Sequence, residues 1–370
     1  IFTILITTIA FCLYIIFKIK TLEVFAMKMI CSQENLLEGI NIVQKAVSTK
    51  TTLPILEGIL LEAGEKLKMT GNDLEIGIEC YVEADVREKG SIVLNAKMFG
   101  DIIRRLPESE VLMEVKENNS VVIECESSLF EIKGVPAEGF PALPAVEKQN
   151  GIQISQKIIK DMVKQTIFAV SADENRPILT GSLFEYKGGR LTIVSIDGYR
   201  LALRSITPDM AVEDRSFVIP GKTLNEISKI IQPVDEPLTL YAAGNQILFD
   251  MGNCIMVSRL LEGEYLNYLG IIPKEYETVV TVNSKELLAC FERASLVITN
   301  EERRYPVRLD ISDDMIVITS NTDIGNAREE IRMEMEGKKM EISFNPRYFI
   351  EALRVIDNEN VKIYFTSGIG

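Results

Sequence analysis

The segment best placed to do chemistry is Gly221-Lys222-Thr223, which follows a strand-like run (residues 216–220) and precedes an apolar periodicity of helical spacing. A glycine-containing turn ending in Lys-Thr can cradle phosphate with backbone amides and neutralise it with the lysine. Such a loop needs a glycine at position 216, where this sequence has Ser216, and Pro220 removes an amide that the cradle would use. The segment therefore reads as a helix start. An enzyme acting on a phosphorylated substrate or nucleotide through Gly221–Thr223 is the second reading. Histidine is absent from all 370 residues, which removes Ser-His-Asp and Cys-His catalysis and every metal site built on imidazole. The six cysteines (Cys12, Cys31, Cys80, Cys125, Cys254 and Cys290) are scattered, with no C-x-x-C pair. They read as reduced, buried thiols of a cytoplasmic protein rather than as zinc ligands or a redox dithiol. The acidic pairs Asp313-Asp314 and Asp235-Glu236 read as solvated turns between strands. No catalytic residue, metal site or cofactor is predicted.

Binding chemistry is better served by Asp197-Gly198-Tyr199-Arg200, which follows the apolar run at 191–196. Asp and Gly supply the bend. Tyr199 and Arg200 read as exposed anchors beside Leu179 and Leu201, the composition of a peptide pocket.

The elements that must position these residues come in three copies. LPILEGILLE at 53–62 recurs as RPILTGSLFE at 176–185 and, more weakly, as YPVRLDIS at 305–312. Each copy opens with an amphipathic helix, at 34–47, 155–170 and 284–298, and continues to a strand-helix landmark at 91–107, 216–232 and 341–357. Three landmarks kept in order three times mark an internal repeat. Leu36, Ile40, Val43 and Val47 recur at helical spacing, whereas Leu74, Ile76, Ile78, Cys80, Val82, Ala84 and Val86 alternate as one strand with a wet face. Asn118-Asn119 is a turn signal. The fold class is α+β, each unit pairing antiparallel sheets with two helices along one side. Pro-containing joints at 139–151 and 269–278 separate domains at 27–145, 151–272 and 278–370. The third unit reads as lacking a final strand pair. Residues 1–17 are uncharged and apolar but open without a basic flank, and Met27 begins the repeat. Residues 1–26 therefore read as a non-native leader on a soluble chain.

The net charge of −14 argues against a basic nucleic-acid grip. Its distribution argues otherwise, because the six predicted helices carry +6 and everything else −20. A helix-lined surface of that sign holds phosphate without reading sequence. Lys97, Arg104, Arg105, Lys160, Lys164 and Lys222 stand on those helices, and Lys50 ends the first.

These features together resemble the bacterial β sliding clamp family, the processivity subunit of DNA polymerase III. The resemblance rests on T-L-P-I-L-x-G at 52–58, A-K-M-F-G-D-I-I-R-R-L-P at 96–107, D-G-Y-R-L-A at 197–202 and F-N-P-R-Y at 344–348, and spans residues 27–370. It implies a DNA clamp fold of three repeated domains and a non-catalytic head-to-tail homodimeric ring around duplex DNA. It also implies a clamp loader, DNA polymerases and repair proteins as partners, bound through short peptides. Lys50, Lys97 and Arg104 match the family's DNA-contacting positions. Its partner groove maps to Leu179, Gly198, Tyr199, Arg200, Leu201, Leu266 and Ile271, with Leu266 replacing a usual proline. Its dimer seam maps to Phe130 and Ile132 on one edge, and to Leu296 and Val297 on the other.

Overall fold

The computed structural model describes residues 25–48, 51–208, 212–298 and 306–367. The first repeat runs β1 (Phe25–Ser32), α1 (Gln33–Val43), β2 (Gly58–Ala63), β3 (Leu67–Asn72), β4 (Ile76–Val82), β5 (Asp85–Glu88), β6 (Gly90–Asn95), α2 (Ala96–Arg105), β7 (Glu110–Lys116), β8 (Ser120–Cys125) and β9 (Ser128–Lys133). The second runs β10 (Ile152–Ser155), α3 (Gln156–Lys164), β11 (Gly181–Lys187), β12 (Arg190–Ile196), β13 (Leu201–Ile206), β14 (Arg215–Pro220), α4 (Gly221–Ile230), β15 (Pro237–Ala243), β16 (Gln246–Asp250) and β17 (Cys254–Arg259). The third runs β18 (Thr278–Asn283), α5 (Ser284–Ala294), β19 (Val307–Ser312), β20 (Met315–Thr322), β21 (Gly325–Arg332), β22 (Glu334–Gly337), β23 (Met340–Phe344), α6 (Pro346–Leu353) and β24 (Asn360–Phe365). Among the described residues the six helices are the six expected from the sequence, each shorter. Short 3₁₀ turns, Gln44–Ala46, Ile167–Ala169 and Ser295–Val297, take up the C-terminal ends of three of the longer predictions.

The chain forms two compact units. Of the described residues, the first comprises those up to 153 and 237–259, the second those of 154–236 and from 260 on. In the first unit, β5-β1-β7-β8-β9 form a five-stranded sheet, and β17 pairs antiparallel with β4 to extend β4-β3-β2-β6. Ser32 caps α1 by accepting from the Asn35 amide, and Asn95 caps α2 by accepting from the Met98 amide. Leu36, Ile40 and Val43 of α1 and Phe99 and Ile103 of α2 are fully buried. Burial stabilises each such side chain by roughly 1.5–3 kcal/mol. The predicted single strand over 74–86 is instead two. Leu74 has φ 72° and is half exposed in a turn that Asp73 braces by accepting from the Glu75 and Ile76 amides. The chain then passes from the sheet of β4 to that of β5 at Glu83-Ala84.

In the second unit, β13-β12-β11-β14 form one sheet, β22-β18-β24 a second and β21-β20-β19-β23 a third. The third repeat's core centres on Phe291, Leu287, Leu309, Ile316 and Ile318, with Phe349 stacked on Phe291 at 4.5 Å between ring centroids. Asn283 caps α5 and Asn345 caps α6, whose first residue is Pro346.

Candidate docking groove and nucleic-acid interface

The Asp197–Arg200 turn is built as its residues suggest. Asp197 Oδ1 accepts from the amides of Tyr199 and Arg200, at 2.9 and 3.1 Å. Gly198 takes φ 94°, where a side chain would be strained. Tyr199 is 83% exposed. Arg200 is not the exposed anchor expected from the sequence, because its side chain is only 13% exposed. Its Nε donates to Asp197 Oδ2 at 2.9 Å, its Nη2 donates to the Phe168 carbonyl at 2.6 Å, and its Nη1 lies 2.5 Å from Glu351 Oε2. The guanidinium packs over the rings of Phe168 and Tyr348, 5.2 and 4.8 Å from their centroids. Tyr199 stacks on Tyr348 at 6.3 Å. Arg200 is thus a strut between this turn and α6, and Tyr199 is the exposed element. A planar guanidinium with several fixed donors suits that position better than a surface anchor does.

The other groove residues divide by burial. Leu179 is buried at 3% exposure, so it backs the surface rather than lining it. Leu201 packs on a cluster formed by Leu183, Val194, Ile196, Val218 and Tyr268. Leu266 and Ile271 are exposed, as are Leu269 and Ile272 beside them. Two tyrosines hold the segment that carries these side chains. Tyr265 donates to the Val194 carbonyl at 3.3 Å, and Tyr268 donates to Glu185 Oε2 at 2.7 Å. Burial, then the hydrogen bond to Glu185 and its charge, push the Tyr268 hydroxyl up to about 12. It therefore remains a donor at neutral pH.

The basic candidates stand as follows. On α2, Lys97, Arg104 and Arg105 are exposed on the face opposite Phe99 and Ile103. Arg104 donates to Asp101 at 3.1 Å and to Asn41 at 3.3 Å. Arg104 and Arg105 lie in the last turn, where cations complement the helix dipole. Lys164 on α3 and Lys222 on α4 are exposed. Lys160 differs, because its Nζ donates to the carbonyl of Ile231, the C-cap residue of α4, at 2.6 Å. Lys50 lies outside the described residues.

The phosphate-loop reading of Gly221–Thr223 finds no support. Gly221 is the first residue of α4, and a Cβ there would lie 2.9 Å from the Thr180 carbonyl oxygen, so close packing accounts for this glycine. Thr223 is buried at 1% exposure. Asp313-Asp314 joins β19 to β20 as expected, whereas Asp235-Glu236 joins α4 to β15 rather than two strands. Cys80 and Cys254 are not reduced thiols but a disulfide, directly opposed in the β4–β17 register with Cα atoms 4.2 Å apart. Cys31, Cys125 and Cys290 are free and buried, and burial pushes the Cys31 thiol up to about 11. Among the described residues, no group of three His, Cys, Asp or Glu could hold a metal ion, and no helix is long and apolar enough to cross a membrane.

Comparison with known proteins accounts for the whole repeat. The N-terminal, central and C-terminal domains of the DNA polymerase III beta subunit family match residues 27–144, 153–267 and 270–369. The chain belongs to the DNA polymerase III beta subunit family, the sliding clamps. The beta sliding clamps of Halalkalibacterium halodurans and Bacillus subtilis are each 37% identical, over 93% of this chain and 94% of theirs. The solved clamp of B. subtilis superposes with a TM-score of 0.89 at 35% identity, covering 93% of this chain and 94% of that one. The beta subunit of Streptococcus pyogenes gives 0.89 at 31% identity, covering 92% and 94%. The function is that of a DNA sliding clamp, a non-catalytic processivity factor, and the three-domain clamp fold is borne out.

In this clamp chain the residues mapped to a seam are wholly or partly exposed, two of them on a sheet edge and two in a turn. β9 is the edge of its sheet, with Phe130 39% exposed and Ile132 partly exposed opposite Val121. Leu296, at 80% exposure, and Val297 lie in the 3₁₀ turn after α5, where the Val297 carbonyl accepts from Thr322 Oγ1 at 2.9 Å. The sequence reading missed Phe168, Tyr348 and Glu351 as parts of the Arg200 site. A signal was present, because Tyr348 and Glu351 are three residues apart and share a face of α6.

Proposed function

We propose that two copies of the chain close head to tail into a ring around duplex DNA in the cytoplasm and tether polymerases and repair proteins through short peptides. One structural observation carries the ring. Within the chain, the last strand of the second repeat, β17, pairs with the fourth strand of the first repeat, β4. The last strand of the first repeat, β9, and the fourth strand of the third repeat, β21, are both left as sheet edges among the described residues. The same pairing made between chains joins β9 of one copy to β21 of the next. Unpaired edges are ready templates for such addition. The apolar residues Phe130, Ile132, Leu296 and Val297 accompany those edges.

Lys97, Arg104 and Arg105 on α2, with Lys160, Lys164 and Lys222, supply a phosphate-facing charge in a chain of net charge −14. Contacts of this kind hold DNA without selecting sequence. Leu179, Gly198, Tyr199, Arg200, Leu201, Leu266 and Ile271 form the peptide-docking groove, with Tyr199, Leu266 and Ile271 presenting surface and the others supporting it. The test is topological. Protein placed on nicked circular DNA by an ATP-driven clamp loader stays bound through gel filtration and is released when the circle is cut. Retention on an unblocked linear product overturns the proposal.

A further inference from the structure

We infer that Glu351 is a positioning residue for peptide docking: it holds the Arg200 guanidinium between two aromatic rings and thereby keeps Tyr199 and Tyr348 stacked at the groove. The inference rests on the peptide-docking reading of that groove.

Arg200 approaches Tyr348 from the side of the central domain, and Glu351 reaches it from one turn further along α6. Arg200 Nη1 and Glu351 Oε2 are both shielded from solvent, and each meets the other as its charge partner. The remaining donors of Arg200 are committed to Asp197 and the Phe168 carbonyl. Glu351 is steadied in turn by Arg347, whose Nε donates to Oε1 at 2.6 Å. Burial alone would push the Glu351 carboxyl up, but the hydrogen bond from Arg347 and the positive charges of Arg200 and Arg347 outweigh it and hold the carboxyl below its ordinary value. It is therefore charged at neutral pH. Removing this carboxylate leaves the shielded Nη1 side of the guanidinium unpaired and Asp197 as its remaining carboxylate partner, which favours movement of Arg200 out of the Phe168–Tyr348 sandwich. Tyr199 is the preceding residue in the chain and is 83% exposed, so little besides the turn and the Tyr348 ring orders its side chain. Disordering that pair raises the entropic cost of docking a peptide on it.

The experiment is a double-mutant cycle on the full chain, read by anisotropy of a labelled peptide carrying leucine and phenylalanine. Tyr199→Ala is expected to weaken binding about tenfold, as removal of an anchor does. Glu351→Ala is expected to weaken it by a similar factor in the parent chain and less than about twofold in the Tyr199→Ala background. Glu351→Gln, which keeps an uncharged polar group of the same size beside Arg200, is expected to restore part of the affinity. Additive effects in the cycle, or full affinity in Glu351→Ala when Tyr199→Ala is impaired, overturn the positioning role. Full affinity in Tyr199→Ala overturns the docking reading itself, and the inference with it. If Glu351→Ala does not fold, Glu351→Gln alone and combined with Tyr199→Ala carry the same cycle.

Discussion

Ring closure can be tested by removing a single side chain, Leu296. In the isolated chain it is 80% exposed, although the backbone beneath it is tied to β20 through Thr322. An exposed leucine contributes little to the chain's own stability, so Leu296→Ala should leave the thermal midpoint within about 2 °C of the parent. In the proposed ring the same side chain is buried at a seam, where burial is worth roughly 1.5–3 kcal/mol. Two seams break when a closed dimer separates, so the substitution acts twice, for roughly 3–6 kcal/mol. At about 1.4 kcal/mol per tenfold, the dimer dissociation constant should rise by about two to four orders of magnitude. Sedimentation velocity over a dilution series measures this directly. Phe130→Ala on the opposite edge should act in the same direction. A dissociation constant within about threefold of the parent for Leu296→Ala would place the seam elsewhere.

Reversing Arg104 and Arg105 together to Glu should weaken equilibrium binding to short duplexes of any sequence. It should also lower the slope of log affinity against log salt by roughly 0.9 for each phosphate no longer neutralised; weakening confined to particular sequences would contradict the phosphate assignment. A second outcome concerns pH. The hydrogen bond from Arg293 is the main cause that holds the Glu329 carboxyl below its ordinary 4.5, with Arg293 Nε donating to Oε1 at 3.0 Å. A carboxyl lowered in the folded state stabilises above its unfolded value and loses that contribution as pH falls through the folded value. The gap in melting temperature between the parent and Glu329→Gln should thus be present at about pH 6–7 and shrink below about pH 4.5. A gap that widens on acidification would reverse the assigned sign.

Features that depend on neighbours along the chain are legible in the order of its amino acids. Helical spacing at Leu36, Ile40 and Val43 specifies α1 because those side chains share one face of the helix. Pro220-Gly221 specifies a helix start, and Asp197-Gly198 a turn, because each acts through its own backbone geometry. The three-fold repeat is equally legible, since each copy carries its landmarks in the same order. Which side chains those elements bring together is a matter of tertiary structure. Cys80 and Cys254 are 174 residues apart, and only the β4–β17 register makes them partners. Arg200 reads as a surface charge until α6 delivers Glu351 and Tyr348 to it, and Lys160 reads as one more helix lysine until the C-terminus of α4 offers it a carbonyl. Leu74 belongs to an alternating pattern, yet the Asp73 turn and the switch of sheets at Glu83-Ala84 bound the strand at its two ends. Periodicity is a property of one element, whereas burial, ion pairing and register belong to pairs of elements whose meeting is set by packing across the whole chain.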